Sequence, residues 1–109
     1  MNVKIYLKSK KNSIDATAVF DTDTKEVIVK KGSKVSSHVG QSEKFRGALS
    51  VERQREEYVD GTKVIKDVLF KSPSTAANFV TGTSTNGWVA WKTEEGESIK
   101  KAFLEDINE

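Results

Sequence analysis

The sequence predicts an α+β fold, in which an N-terminal three-stranded antiparallel meander is followed by the order α-β-α-β-α in a single compact domain. Three observations favour this fold. Apolar and polar residues alternate through much of the first 31 residues, as they do in half-buried strands. Helix-forming runs bounded by turn residues follow later in the chain. The 109 residues, of which 36% are hydrophobic, have the length of one domain with a modest core.

Residues 1–35 predict a basic β-meander. The first strand is predicted at residues 3–8, where apolar residues occupy every second position. The second strand is predicted at residues 14–20 and the third at residues 26–31, with turn residues between them. Residues 32–47 are rich in Gly and Ser and predict a loop.

The first elements of the α-β-α-β-α part, which spans residues 48–107, follow from propensity and turn chemistry. Residues 50–58 are strong helix formers, and Asp60-Gly61 predicts the end of that helix. Residues 62–70 contain several β-branched side chains and predict the fourth strand.

The next helix has clear start and stop signals. Ser72 is predicted to cap it, Pro73 to occupy its first position and Gly82 to end it in a left-handed conformation. Asn86 and Gly87 predict a tight loop with positive φ angles.

A fifth strand and a last helix complete the predicted order. Residues 88–93 predict a strand, which places Trp88 and Trp91 on opposite faces, one in the core and one exposed or covered by the last helix. That helix is predicted at residues 98–107, where Ile99, Phe103 and Ile107 follow each other at four-residue spacing.

Charge is distributed unevenly along the chain. The net charge is +2, but residues 1–37 hold eight lysines and four acids while residues 38–109 carry a net negative charge. The ends of antiparallel strands meet, so six lysines are expected to converge at one end of the meander and form a lysine cluster: Lys8, Lys10, Lys11, Lys30, Lys31 and Lys34. Such a cluster suits phosphate contacts, and it equally suits solvated turns that protect a sheet edge from aggregation.

Composition argues against catalysis. The chain has no cysteine and one histidine, His38, so thiolate metal sites and cysteine nucleophiles are excluded. We expect no catalytic residue, no metal and no cofactor. The longest wholly apolar run is four residues, Trp88-Val89-Ala90-Trp91, far below the roughly 20 needed to span a bilayer, so we expect no membrane partner and a cytoplasmic location.

One motif set resembles a known family. Residues 70–77 follow the pattern F-x-S-P-S-x-A-A, residues 82–88 follow G-x-S-x-N-G-W, and Trp91-Lys92 follow these. The chain is similar in these motifs to a RAMA-like domain of unknown function that is attached to GIY-YIG nucleases and restriction–modification methylases. The similarity is close over residues 68–104 and loose over residues 14–35.

The resemblance implies a noncatalytic module that travels with enzymes acting on DNA. This chain contains neither a GIY and YIG pair nor a methylase signature, so no catalytic residue is carried over. We therefore expect a nucleic-acid-binding module, for DNA rather than RNA, with a nuclease or methylase as a possible partner protein. The alternative is a protein-interaction module that docks onto a separately encoded DNA-processing enzyme.

Six further residues are candidates for a second binding surface. The exposed N–H groups of the predicted helix start suit a phosphate, although Ser72 would serve equally as a simple cap. A tryptophan near basic residues can stack on a base, and packing in the core is the alternative. The candidates are Ser72, Ser74, Thr83, Ser84, Asn86 and Trp91.

Overall fold

The chain begins with the predicted antiparallel meander. In the computed structural model, which describes residues 1–11, 13–40 and 48–104, its strands are β1 (Asn2–Ser9), β2 (Ile14–Asp21) and β3 (Val27–Val29). β2 pairs with both neighbours, so that Leu7 lies opposite Ala16 and Ala18 lies opposite Val29. Buried and exposed residues alternate along the strands, which confirms the pattern expected of a sheet with one covered face.

The other elements make the domain a mixed α+β fold, as predicted. They are α1 (Ala48–Tyr58), β4 (Val59–Asp60), β5 (Lys63–Val64), β6 (Val68–Phe70), α2 (Pro73–Thr81), α3 (Gly87–Ala90) and a π-helical turn (Lys100–Leu104). β6 pairs antiparallel with β3, which gives a four-stranded sheet in the order β1-β2-β3-β6. β4 and β5 form a separate two-stranded hairpin.

The single strand predicted at residues 62–70 is two short strands. β5 closes the hairpin with β4 around Gly61, whose φ of 66° is in the left-handed region. The chain then leaves that hairpin and enters the main sheet as β6. Strands form on both sides of residues 65–67, as the β-branched side chains predict. However, β5 pairs with β4, whereas β6 pairs with β3.

Residues 32–40 contain no helix and no named strand, as the predicted loop requires, but part of this loop is fixed between two strands. Lys34 forms antiparallel bridges with both Asp15 of β2 and Lys63 of β5. Ser33 accepts a hydrogen bond from the Thr17 amide at 3.0 Å, and Val35 is 1% exposed. Residues 33–36 therefore form an extended segment between β2 and the β4–β5 hairpin. Residues 41–47 lie outside the described residues.

The cap signals of α2 are confirmed. The Ser72 side chain accepts a hydrogen bond from the Thr75 amide, Pro73 opens the helix, and Gly82 follows it with a φ of 75°. The apolar stripe of α2 packs against β2, β3 and β6, so the covered face of the sheet and α2 enclose the core. The largest fully buried side chains in that core include Phe20, Phe79 and Trp91.

The strand predicted at residues 88–93 is wrong. Asn86 has a φ of −78° and caps the short helix α3 by accepting a hydrogen bond from the Trp88 amide. Gly87 is not in the left-handed region either. Local β propensity fails here because a side-chain cap and tertiary contacts determine the backbone.

In the described part of the chain, the predicted C-terminal helix is a π-helical turn at Lys100–Leu104. Ile99 is fully buried, and Phe103 packs partly buried against the core with its ring centroid 5.9 Å from that of Phe20. Ile107 lies outside the described residues. In the described part of the chain, no helix is long and apolar enough to cross a membrane.

Candidate nucleic-acid interface

The sheet face turned away from α2, here called the outer face, carries a row of lysines. Residues directly opposite each other in an antiparallel sheet point to the same side. Lys8 lies opposite Asp15, Asp15 bridges to Lys34, and Lys34 bridges to Lys63. All four residues are exposed. Four separate segments of the chain thus place three ammonium groups and one carboxylate across one end of the sheet.

The neighbouring row centres on Tyr6. Its ring lies between two lysines of the same strand, with the Nζ atom of Lys4 at 5.8 Å and that of Lys8 at 5.4 Å from the ring centroid. The Tyr6 hydroxyl donates to Glu94 Oε1 at 3.1 Å, which fixes the ring orientation. Both ammonium groups are close enough to the ring for cation–π contacts.

The same row ends in an ion pair. Lys30 lies beside Thr17, and its backbone amide donates a hydrogen bond to the Thr17 carbonyl. The Nζ atom of Lys30 is 2.8 Å from Asp67 Oδ2. The Lys31 amide donates to the other oxygen of Asp67, also at 2.8 Å. The hydrogen bonds from Lys30 and Lys31 lower the pKa of Asp67. The positive charge of Lys30 is therefore matched within the protein. Within residues 1–11, 13–40 and 48–104, no ion pair involves Lys8 or Lys34.

A third row is apolar. The cross-strand register places Val19, Ile28 and Leu69 next to each other. Ile28 is 36% exposed and Leu69 is 58% exposed. The outer face thus combines a cationic end with a small apolar stripe.

A cleft lies at the end of the sheet, on the side of α2. It has a volume of about 690 Å³ and is called the threonine cleft here. The β1–β2 turn, the extended segment after β3 and the loop after α2 form its walls. Its lining residues are Leu7, Ser9, Lys11, Ser13, Ile14, Lys34, Val35, Ser36, Ser37, His38, Gly40, Thr62, Thr81, Thr83 and Thr85.

Arg55 of α1 holds two walls of the threonine cleft together. Its guanidinium donates to the Ser36 carbonyl at 2.7 Å and to the carbonyls of Phe79 and Val80 at 2.8 and 3.2 Å. These last two are carbonyls of the final turn of α2, which lack partners within the helix. Burial lowers the pKa of Arg55 to about 10. Arg55 therefore acts as a clamp between the extended segment and α2.

Comparison with known families identifies the domain. The sequence profile of a domain of unknown function, DUF4357, matches residues 5–103. The chain belongs to the DUF4357 family. No characterised protein and no solved structure gives a significant match.

In this DUF4357 domain, the predicted lysine cluster divides into three groups. Lys8 and Lys34 share one cross-strand row through Asp15. Lys10 and Lys11 are exposed in the β1–β2 turn, at the same end of the sheet. Lys30 forms the ion pair with Asp67, whereas Lys31 contacts that carboxylate through its backbone amide and is exposed. The antiparallel geometry therefore brings Lys8 and Lys34 together as expected.

The start of α2 is occupied by the domain itself. The Ser72 hydroxyl caps the helix, and Ser74 Oγ accepts a hydrogen bond from the Gly87 amide at 3.1 Å. A Cβ atom on Gly87 would lie 2.0 Å from the Pro73 carbonyl oxygen, so α3 lies directly against the first turn of α2. The Ser72 hydroxyl therefore serves as a helix cap, which was the alternative to phosphate binding. The Ser74 hydroxyl is occupied by its contact with Gly87.

Trp91 does not offer a stacking surface, which corrects the expectation drawn from the sequence. It is fully buried, and its indole N–H donates to the Pro73 carbonyl at 3.0 Å. Trp88 is half-buried and packs edge-on against Phe20. The reason is that both residues lie on or beside the helical turn α3, not on a strand with two opposite faces.

The loop between α2 and α3 keeps three candidates near or at the surface. Thr83 and Ser84 are exposed, and Thr83 lines the threonine cleft. Asn86 is exposed, but its side-chain oxygen accepts the hydrogen bond that caps α3. Only Thr83 among these three therefore joins a concave surface.

Sequence reasoning missed Lys4, Tyr6 and Lys63. The first two were visible, because Lys4, Tyr6 and Lys8 occupy alternate positions of one strand and so share a face. Lys63 had no such local signal, since it reaches the outer face only through the bridge to Lys34.

Proposed function

We propose that this DUF4357 domain is a noncatalytic accessory module that binds DNA and works with a DNA-processing enzyme such as a nuclease or a methylase. The observation that carries the proposal is the exposed row of Lys8, Lys34 and Lys63 on the outer face. A phosphate backbone is the polyanion that such a row fits, because each lysine that contacts a phosphate releases condensed counterions. The motif resemblance supports DNA over RNA.

The neighbours of this row support the same conclusion. Lys4 extends the positive charge along β1, and the Tyr6 ring adds a flat surface beside it. One carboxylate, Asp15, lies within the row and opposes the charge of its neighbours. The row therefore carries a moderate net positive charge. This charge predicts DNA binding whose affinity falls steeply as the salt concentration rises.

The test is a salt titration of duplex binding with the double variant Lys8→Gln/Lys63→Gln. Glutamine removes the charges without placing an acid next to Asp15, and neither residue lines the threonine cleft. We expect weaker binding at low salt, and a slope of log K against log salt that falls by about 1.8 if both lysines contact phosphates. Fluorescence anisotropy with a labelled 20-base-pair duplex measures both quantities.

The matched control is Lys100→Gln/Lys101→Gln, which makes the same charge change on exposed residues of the π-helical turn. We expect its slope to stay close to that of the unmodified domain. Absence of duplex binding by the unmodified domain at low salt would refute the proposal. Equal losses in the two double variants would show that net charge, and not the lysine row, determines binding.

The apolar stripe favours a second function, docking onto a separately encoded DNA-processing enzyme. Ile28 and Leu69 are exposed side by side on the outer face, where a partner surface can cover them. This function predicts a complex that survives high salt and nuclease treatment and is weakened by Ile28→Thr/Leu69→Thr. Retention of the complex by that variant in a pull-down with the partner enzyme would exclude the stripe as the docking site.

A further inference from the structure

The threonine cleft is built from segments that are fixed to one another. The Val35 amide donates to the Thr62 carbonyl at 2.8 Å, and the Ser36 amide donates to the Val80 carbonyl at 2.9 Å. The Gly40 amide donates to the Gly82 carbonyl at 2.6 Å. Backbone hydrogen bonds therefore set the distance between the extended segment and the loop after α2, and the cleft is largely formed before any ligand arrives.

The lining of the cleft combines an apolar floor with many hydroxyl groups. Leu7, Ile14 and Val35 are 6%, 5% and 1% exposed and supply the apolar part. Eight of the fifteen lining residues are Ser or Thr. A ligand body with its own hydroxyl or ether oxygens, such as a sugar, matches such a lining by hydrogen bonding.

The charged lining residues have one sign. Among the described lining residues, the ionisable side chains are those of Lys11, Lys34 and His38, and none is a carboxylate. Within residues 1–11, 13–40 and 48–104, neither lysine has an ion-pair partner. The cleft therefore favours a ligand that carries negative charge.

Three threonine hydroxyls form a connected group at the wall after α2. The Thr81 and Thr85 hydroxyl oxygens are 2.7 Å apart, and the Thr83 hydroxyl lies 3.4 Å from each of them. The Thr81 and Thr85 hydroxyls donate to the Thr83 carbonyl at 3.1 Å each, whereas the Thr83 hydroxyl, whose hydroxyl neighbours lie 3.4 Å away, can rotate to donate to a phosphate oxygen. Thr83, the exposed member, is the accessible one.

We propose that the threonine cleft binds a nucleotide-sized phosphomonoester, with Lys11, Lys34 and the Thr83 hydroxyl on the phosphate and the serine hydroxyls and the apolar floor of the cleft on the sugar. The volume of about 690 Å³ falls within the roughly 300–1,000 Å³ of small-molecule sites. The ligand is either a free nucleoside monophosphate or the 5′-terminal nucleotide of a strand. This site shares Lys34 with the lysine row, but Lys8 and Lys63 do not line it, and its test with a monophosphate does not depend on duplex binding.

The experiment is an NMR titration of the ¹⁵N-labelled domain with deoxyadenosine monophosphate, deoxyadenosine and inorganic phosphate. We expect the monophosphate to shift the amide signals of Ser37, His38, Thr83 and Thr85, and the nucleoside to have little effect. A hexanucleotide with and without a 5′-phosphate separates the two sources. A larger effect of the phosphorylated strand assigns the site to strand ends, and an effect of the free monophosphate alone assigns it to free nucleotides.

Two pairs of variants give matched controls. Lys11→Gln and Thr83→Val change residues that line the cleft, while Lys10→Gln and Ser84→Ala change their exposed neighbours, which do not. We expect each cleft variant to weaken monophosphate binding about tenfold and each control to leave it unchanged. The proposal is overturned if millimolar monophosphate causes no shift at the cleft, or if the cleft variants bind as tightly as their controls.

Discussion

Gly87, the first residue of α3, allows a sharp test of how α3 packs on α2. Its φ is not in the left-handed region, so its backbone is open to other residues. Helix propensity alone predicts that Gly87→Ala stabilises the domain by up to about 1 kcal/mol. The structure predicts the opposite sign, because the space that an alanine methyl group needs is filled by backbone atoms.

The expected cost follows from the contacts. A Cβ atom at Gly87 would lie 2.0 Å from the Pro73 carbonyl oxygen and 2.5 Å from the Ser74 amide nitrogen. Neither atom can move without shifting the first turn of α2, and such overpacking costs about 1–3 kcal/mol. The shift also weakens the hydrogen bonds from the Gly87 amide to Ser74 Oγ and from the Trp91 amide to the Gly87 carbonyl, at about 1 kcal/mol each. The free energy of unfolding should therefore fall by about 3–5 kcal/mol.

Urea and thermal unfolding followed by far-ultraviolet circular dichroism measure this change. For a chain of this length, a loss of about 3–5 kcal/mol lowers Tm by about 12–20 °C. Gly61→Ala is the control, since Gly61 has a φ of 66° and no heavy atom within 4 Å of a built Cβ, so it bears only the left-handed strain of about 1 kcal/mol. If Gly87→Ala costs no more than Gly61→Ala, the packing argument is wrong.

Two further predictions concern charged residues. Arg55→Ala removes the donors to the last carbonyls of α2 and should lower the free energy of unfolding by about 2–4 kcal/mol in urea titrations; an unchanged midpoint would contradict the clamp. Asp67→Asn should cost at most about 1 kcal/mol at pH 7, because its ion pair with Lys30 is exposed. The pKa of Asp67 is lowered in the folded state, so the stability from that pair is present above its ordinary value near 4 and is lost as the pH falls through the lowered value. Melting curves of both proteins should converge between about pH 5 and pH 2, and a constant gap would refute the assignment.

Much of the fold follows from signals that are local in the sequence. The period-2 alternation of β1 and β2 and the Ser-Pro start of α2 determine structure within a few residues, and each was recognised. The turn α3 was missed because its residues have strand-like propensity. Its backbone depends on the contact of Gly87 with Pro73, fourteen residues earlier in the chain.

The candidate surfaces divide in the same way. The convergence of Lys8 and Lys34 follows from the geometry of antiparallel strands, so the sequence predicts it. The threonine cleft cannot be predicted from local sequence patterns. Its walls come together because the extended segment that carries Val35 and Ser36 pairs with β5 and α2, which are distant in the sequence. Pairing between distant segments carries no local signature.

The pairing of Tyr6 with Lys92 has a consequence for how the domain unfolds. Each backbone amide donates to the other residue's carbonyl at 2.8 Å, and the Tyr6 hydroxyl reaches Glu94, 88 positions along the chain. The first strand is thereby joined to the segment after α3, so the meander and the helical part cannot separate without breaking this seam. Closing so long a loop has a large entropic cost, which native contacts throughout the chain must offset together. We therefore expect the two parts to lose structure cooperatively, in one transition.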